Sequence, residues 1–294
     1  MADTQVQRTC QGRVVTLTLN SPPVNALGLS MRRQLYAALQ WAEQEDRIGA
    51  VVLSGGGRGF SAGGDIREFG TADASATPGL SSHVHSAIER MSKPVIAAVH
   101  GFAIGGGLET VLACHYRVAE QDAVLALPEV GLGTLPLSAT QRLPRLIGVL
   151  PALRFMLDGD RRQASEFAGA DIFDRIVAPG QGVTEACALA ADLAAAPVSP
   201  DVLEQRLVRN CPIPGIDLEQ DLLDAGRWLL SRRSDKVSQA LLQALEAAVR
   251  NADFDAGLDK ARLLFDEMMA GEEILRGRDR FLSVPPGHLP SARG

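Results

Sequence analysis

Val14, Thr16 and Thr18 alternate with Val15, Leu17 and Leu19, so residues 6–19 are expected to form a pair of strands turned at Gln11-Gly12. Asn20-Ser21-Pro22-Pro23 ends them, and Asn25-Ala26-Leu27 leads into a segment with Leu35, Leu39 and Ala42 at helical spacing, which predicts an amphipathic helix over 30–44. The uninterrupted apolar runs at 50–53 and 94–99 are too short for helices of ordinary length and read as buried strands. Asp65 is a plausible N-cap for a helix over 66–69. Residues 70–79 are small and polar and are expected to be mobile, the kind of segment that gates a neighbouring site. Helices are expected over 80–91 and 108–116, then a strand at 123–127, a turn at 128–133 and a helix from Ser138 that carries Arg142 and Arg145. Beyond Leu157 the pattern is mostly helical, with one strand at 172–177 and an Ala-rich helix over 183–195. The prolines of 197–200 suggest a boundary; residues 201–281 keep helical periodicity, with a long amphipathic helix over 236–250, and Pro285-Pro286-Gly287 opens a frayed tail. No repeat of fixed period is present.

Composition narrows the interior and the partners. At 294 residues the chain can be one large domain or a core with an appendage, and 46% apolar against 4% aromatic residues means a core of Ala, Val, Leu and Ile. A net charge of −6 without a basic stripe argues against nucleic acid as a partner, so any anionic ligand must be held by local groups. Cys10, Cys114, Cys187 and Cys211 are scattered without metal-ligand spacing and read as reduced and structural, which suits the cytoplasm. His83 and His85, two apart, would face different sides of a helix, and no metal site is implied. The start of the chain lacks the apolar segment of a secretory signal, and no run is long enough to cross a membrane.

The chemistry concentrates in two glycine-rich stretches. In Val99-His100-Gly101-Phe102-Ala103-Ile104-Gly105-Gly106-Gly107-Leu108-Glu109, a buried strand runs through three glycines into a helix start. Without Cβ atoms there, a ligand can approach the main chain closely, and the unpaired amides of the helix N-terminus can stabilise an oxygen that turns negative during a reaction. Upstream, Gly55-Gly56-Gly57-Arg58-Gly59-Phe60-Ser61-Ala62-Gly63-Gly64-Asp65 is nearly free of bulky side chains. A glycine triplet alone also fits a flexible turn before a packed helix. Glu109 alone also fits a solvated first-turn glutamate, and Glu129 an ordinary turn residue.

Five motifs stand in register: Phe60-Ser61-Ala62-Gly63-Gly64-Asp65-Ile66, Lys93-Pro94-Val95-Ile96-Ala97-Ala98-Val99-His100-Gly101, Gly105-Gly106-Gly107-Leu108-Glu109, Leu127-Pro128-Glu129 and Thr140-Gln141-Arg142-Leu143-Pro144-Arg145. Together they resemble the enoyl-CoA hydratase/isomerase family, the crotonase superfamily, over most of the chain. The resemblance implies an α/β fold, a spiral of β-β-α units in 1–198 with two sheets roughly perpendicular. A C-terminal helical region in 199–294 would follow, building a homotrimer or a dimer of trimers and completing part of the coenzyme A pocket. By the same resemblance the substrate is an acyl-CoA of the kind met in fatty acid metabolism, and coenzyme A enters as part of it, with no separate cofactor. The thioester oxygen would be bound by the amides of Gly64 and Gly106, with Glu109 as the water-activating base and Glu129 as the proton donor. The amides around Ala62 and Ile66 would meet the adenine, Arg67 the phosphates, and Phe281 the adenine again. Arg142 and Arg145 are expected to be structural, pairing with acidic neighbours.

Two features depart from the family pattern. Leu137-Ser138-Ala139 replaces a Gly-Ala-Gly-Gly turn before Thr140, so the loop is one residue shorter and Leu137 could exclude water or shorten the acyl pocket. Leu282-Ser283-Val284-Pro285-Pro286 replaces the basic cluster that usually follows the C-terminal aromatic. Three readings therefore stay open: hydration of a 2-enoyl-CoA, isomerisation that shifts a double bond between C3 and C2 or other enolate chemistry on an acyl-CoA, and noncatalytic acyl-CoA binding as an assembly subunit.

Overall fold

In the computed structural model, residues 4–196, 198–251 and 253–283 are described; the first residue of the 197–200 boundary and the tail from Pro285 lie outside them. Among the described residues two compact units interleave along the chain: those of 4–65, 72–125 and 162–210 form the first, and those of 66–71, 126–161 and 211–283 the second.

The first unit is built on a six-stranded sheet. Its strands are β1 (Val6–Gln11), β2 (Val14–Leu19), β3 (Ala50–Gly55) and β4 (Val95–Val99), then β6 (Tyr116–Glu120) and β9 (Arg175–Val177), in the order β1-β2-β3-β4-β6-β9. The expected hairpin is there, with Gly12 at φ +57° in its turn, and every pairing beyond β1/β2 is parallel. Strands β3 and β4 are buried throughout, the physical reason for their unbroken apolar runs. The helix Gly182–Ala195 sets Ala186, Ala190 and Ala194 against Val14, Val52, Ile96 and Val118. Side chains that small let the helix axis approach the sheet closely. A second sheet, β5-β7-β8, pairs Val124 and Leu125 of β7 (Val124–Ala126) with β8 (Arg162–Gln163); β5 (Phe102–Ile104) is only three residues long.

Several boundaries differ from the sequence expectation. The helix expected over 108–116 spans Gly106–Ala113, so two of the three glycines are inside it, and Tyr116 opens β6. Residues 80–91 start as a π-helix, Leu80–His85, before the short α-helix Ser86–Glu89. Residues 66–69 form only a 3₁₀ turn, Ile66–Glu68, and the strand at 172–177 shrinks to β9. The segment 70–79 contains a helical turn, Ala72–Ser75, and is tied down by Arg32: its guanidinium donates to the carbonyls of Asp73 (2.7 Å), Ala76 (3.5 Å) and Pro78 (2.9 Å) and to that of Leu27 (3.1 Å). Arg32 is only 6% exposed, and carbonyls rather than water solvate its charge.

His115, between the helix Gly106–Ala113 and β6, is fully buried and accepts a hydrogen bond at Nδ1 from the Val95 amide (3.2 Å). Burial, and then the guanidinium groups of Arg117 and Arg206, lower its pKa from 6.5 to about 4. The unfolded chain therefore binds a proton below pH 6.5 that the folded chain refuses until about pH 4. From this residue alone, unfolding free energy is expected to fall by about 3 kcal/mol across that window and to level off below it. Urea denaturation at a series of pH values checks this, with His115→Gln expected to flatten the dependence.

The second unit is helical: Glu129–Leu132, Ala139–Ile147, Val149–Asp158, Leu218–Leu230, Lys236–Arg250, Phe254–Met269 and Glu272–Ser283 among the described residues. Asp217, Asp235 and Asp253 cap three of these by accepting from the amides of Gln220, Ser238 and Asp255. Gln141 Nε2 donates to the Ala244 carbonyl (2.8 Å), and both Arg142 and Arg145 lie over the Phe254 ring, at 5.1 and 5.0 Å. Their structural role is packing on an aromatic face, a partner that sequence spacing did not suggest.

Candidate active site

The first glycine stretch is held by Asn25, a residue whose role sequence reasoning missed. Asn25 sits at φ +54°, a left-handed conformation that Asn tolerates better than most residues. Its Nδ2 donates to the carbonyls of Gly56 (2.9 Å), Gly59 (2.9 Å) and Phe60 (3.2 Å), and its Oδ1 accepts from the Ser21 amide (2.9 Å). Ser61 Oγ donates to the Asn25 carbonyl (2.7 Å) and accepts from the Gly63 amide (3.1 Å), while the Leu27 amide donates to the Gly63 carbonyl (2.8 Å). The available signal was an Asn just after Ser21-Pro22-Pro23, where a turn residue with a backbone-bonding side chain belongs. Asn25→Ala would leave two buried carbonyls and one half-buried one short of a donor and is expected to cost about 3 kcal/mol. Chemical denaturation measures that loss.

The second stretch is zipped to the first. Ser61 and Ala103 form a parallel bridge, and the Ile104 amide donates to the Ser61 carbonyl (2.9 Å). Gly105 then takes φ +54° and ψ −128°, a conformation open only to glycine, and turns β5 directly into the helix Gly106–Ala113. The close approach explains the glycines. A Cβ on Gly63 (φ +88°) would lie 2.6 Å from the Ile104 carbonyl oxygen and 2.9 Å from the Gly106 nitrogen, and one on Gly107 would lie 2.5 Å from the Ser61 carbonyl oxygen. A Cβ on Gly106 would lie 3.5 Å from the Gly64 nitrogen. The main chains at Gly64 and Gly106 are thus neighbours, and Gly106 is the first residue of a helix, where amides lack intrahelical partners. Beneath it, Thr110 Oγ1 donates to the Gly106 carbonyl (2.7 Å) and is 3.1 Å from Nε2 of the buried His85.

Glu109 follows Gly106 by three residues in the same helix and is only 7% exposed, which removes the reading of a solvated first-turn glutamate. Ala62 is half-buried on the first stretch. The other expected residues belong to the second unit: Ile66 is half-buried and Arg67 exposed on the 3₁₀ turn, and Phe281 is half-buried on the helix Glu272–Ser283. Glu129, expected in a turn, opens the helix Glu129–Leu132 behind Pro128 and is half-buried; its carbonyl accepts from the Thr134 amide (3.1 Å), and Gly133 ends the helix at φ +90°. Leu137 is buried, its carbonyl accepting from Thr140 Oγ1 (2.7 Å). Among the described residues no cluster of His, Cys, Asp and Glu could hold a metal ion, and no helix is long and apolar enough to cross a membrane.

Comparison with known proteins places the chain in a family. Residues 9–212 match the model of the enoyl-CoA hydratase/isomerase family. The human peroxisomal bifunctional enzyme is 39% identical over 254 residues, 85% of this chain and 34% of that protein. The Bacillus subtilis protein named "Probable enoyl-CoA hydratase" is 42% identical over 152 residues, 50% of this chain and 59% of that one. The chain thus spans about a third of the human relative's length and under two thirds of the bacterial one's. Among solved structures, the enoyl-CoA hydratase subunit I of Geobacillus kaustophilus is 27% identical, with a TM-score of 0.62 over 98% of both chains. The fold is the crotonase fold, mixed α/β with a C-terminal helical region. With the family model matched over more than half of its length, the chain belongs to the enoyl-CoA hydratase/isomerase family.

Proposed function

We propose that the chain is an enoyl-CoA hydratase, a lyase that adds water across a trans-2-enoyl-CoA thioester. The observation that carries this reading is the adjacency of the Gly64 and Gly106 main chains, with the buried Glu109 one helical turn further on. Two amides donating to the thioester oxygen draw electron density out of the conjugated double bond, so C3 becomes electrophilic and C2 can carry the enolate. Glu109 takes a proton from water as its oxygen attacks C3. Glu129 then delivers a proton to C2, and the enolate electrons return to form the C2–H bond. Coenzyme A enters as part of the substrate, held by the amides around Ala62 and Ile66, by Arg67 near the phosphates and by Phe281 near the adenine. The helical region 199–294 would join copies into a trimer or a pair of trimers.

The test is crotonyl-CoA: the ultraviolet absorbance of its conjugated thioester should fall when the protein is added. The buried Leu137, standing where relatives of the family carry glycine, favours a second reading, an isomerase in which one glutamate shuttles a proton and water is kept out. Conversion of a 3-enoyl-CoA with crotonyl-CoA untouched would establish that alternative. Tight acyl-CoA binding with no turnover of either would point to a noncatalytic subunit.

A further inference from the structure

We infer that the helix Glu272–Ser283 is a brace that positions both the Glu129 turn and the 66–71 segment, with Gly277 and Arg278 as the positioning residues. The assignment of Glu129 as proton donor and of 66–71 as a coenzyme A contact rests on the hydratase reading; the packing does not.

At Gly277 the contact is main chain on main chain. A Cβ there would lie 2.1 Å from the carbonyl oxygen of Leu132 and 2.8 Å from its carbonyl carbon. One residue on, a Cβ at Gly133 would lie 2.9 Å from the carbonyl carbon of Glu273. Leu132 closes the helical turn that Glu129 opens, and within it Gly133 donates to Val130 (3.1 Å) and Thr134 to Glu129 (3.1 Å). A turn of four residues has no length over which to absorb a displacement, so a shift at Leu132 is passed to Glu129. The same helix grips the other segment. Arg278 Nη1 donates to the Phe69 carbonyl (2.8 Å), and Leu275 Cδ2 would lie 2.4 Å from a Cβ on Gly70, which adopts φ +78°. Phe281 is one turn beyond Gly277 and shares its face. Nothing in the periodicity of 272–283 marks Gly277, because a glycine there is otherwise only a weak point in a helix.

The test reads exchange and kinetics separately. In Gly277→Ala, amide hydrogen exchange over 128–134 should accelerate, and kcat should fall about 10- to 100-fold with KM for the enoyl-CoA nearly unchanged. In Arg278→Gln, exchange over 66–71 should accelerate and KM should rise about fivefold with kcat nearly unchanged, Arg278→Lys restoring part of the loss. Wild-type exchange over both segments in both variants would overturn the brace. So would kcat and KM changing together in step with lost thermal stability, the mark of a helix that only holds the fold. If the wild-type protein hydrates no enoyl-CoA, the hydratase reading fails while the exchange data still decide on the brace. Should Gly277→Ala not fold, Arg278→Gln carries the test, unchanged protection over 66–71 counting against it.

Discussion

Replacing Glu129 with Gln is expected to lower crotonyl-CoA hydration by about a thousandfold, within the range that a positioned general acid or base contributes. KM and the affinity for a saturated acyl-CoA should stay near the wild-type values, because the thioester oxygen is bound by peptide amides and coenzyme A by other residues in the proposed mechanism. Glu109→Gln should behave alike through the opposite half-reaction, loss of the group proposed to deprotonate water. The double variant should lose little more than either single one, since the effects of groups that serve one reaction as a unit are not additive. Steady-state kinetics, with calorimetric titration of butyryl-CoA as the binding control, read all of this. Hydration surviving in Glu129→Gln would remove Glu129 from the mechanism and favour a single-base reaction at Glu109.

The second large effect is expected at Gly63, a residue with no chemical role of its own in the proposed mechanism. Gly63→Ala would place a methyl group 2.6 Å from the Ile104 oxygen and 2.9 Å from the Gly106 nitrogen, in a backbone conformation of φ +88° that L-residues rarely adopt. Both neighbours are main chain, so neither can swing aside. Relief must come from separating the two stretches, and with them the amides of Gly64 and Gly106. If those amides bind the thioester oxygen as proposed, weakening one donor costs about 100- to 1,000-fold in kcat, and the strain costs about 1–3 kcal/mol in stability. Gly106→Ala supplies the contrast: its Cβ would press on Leu80 Cδ2 at 2.7 Å, the far end of a flexible side chain that can rotate away. Its effect should therefore be much the smaller. Equal losses in the two variants would show that the separation of the amides is not what limits the reaction.

The limits of sequence reading follow from the range of the forces involved. Periodicity located the hairpin, the helix ending at Gln44 and the helix Lys236–Arg250 closely, because burial of one face imposes its period directly on the residues. It failed where elements are shorter than a period. The three residues of β5 and the four of Glu129–Leu132 have no pattern to show, and the π-helical start at Leu80 keeps a spacing that an α-helical template misreads. Glycine motifs announced close approach without naming its partner. Asn25, whose side chain organises the first stretch, carries no periodic signal because its bonds reach residues more than thirty positions away.

By itself the sequence determined the family, the residue types available for chemistry and the apolar stripes that must be buried, all of which depend on local order along the chain. Only the tertiary structure decided that Gly64 and Gly106 lie side by side, that Glu109 is buried, and that Gly277 meets the carbonyl of Leu132 with no side chain between. Those are contacts between residues far apart in order, made where the absence of a Cβ lets two backbones touch, and an absent atom leaves no trace in a pattern of hydrophobic and polar positions.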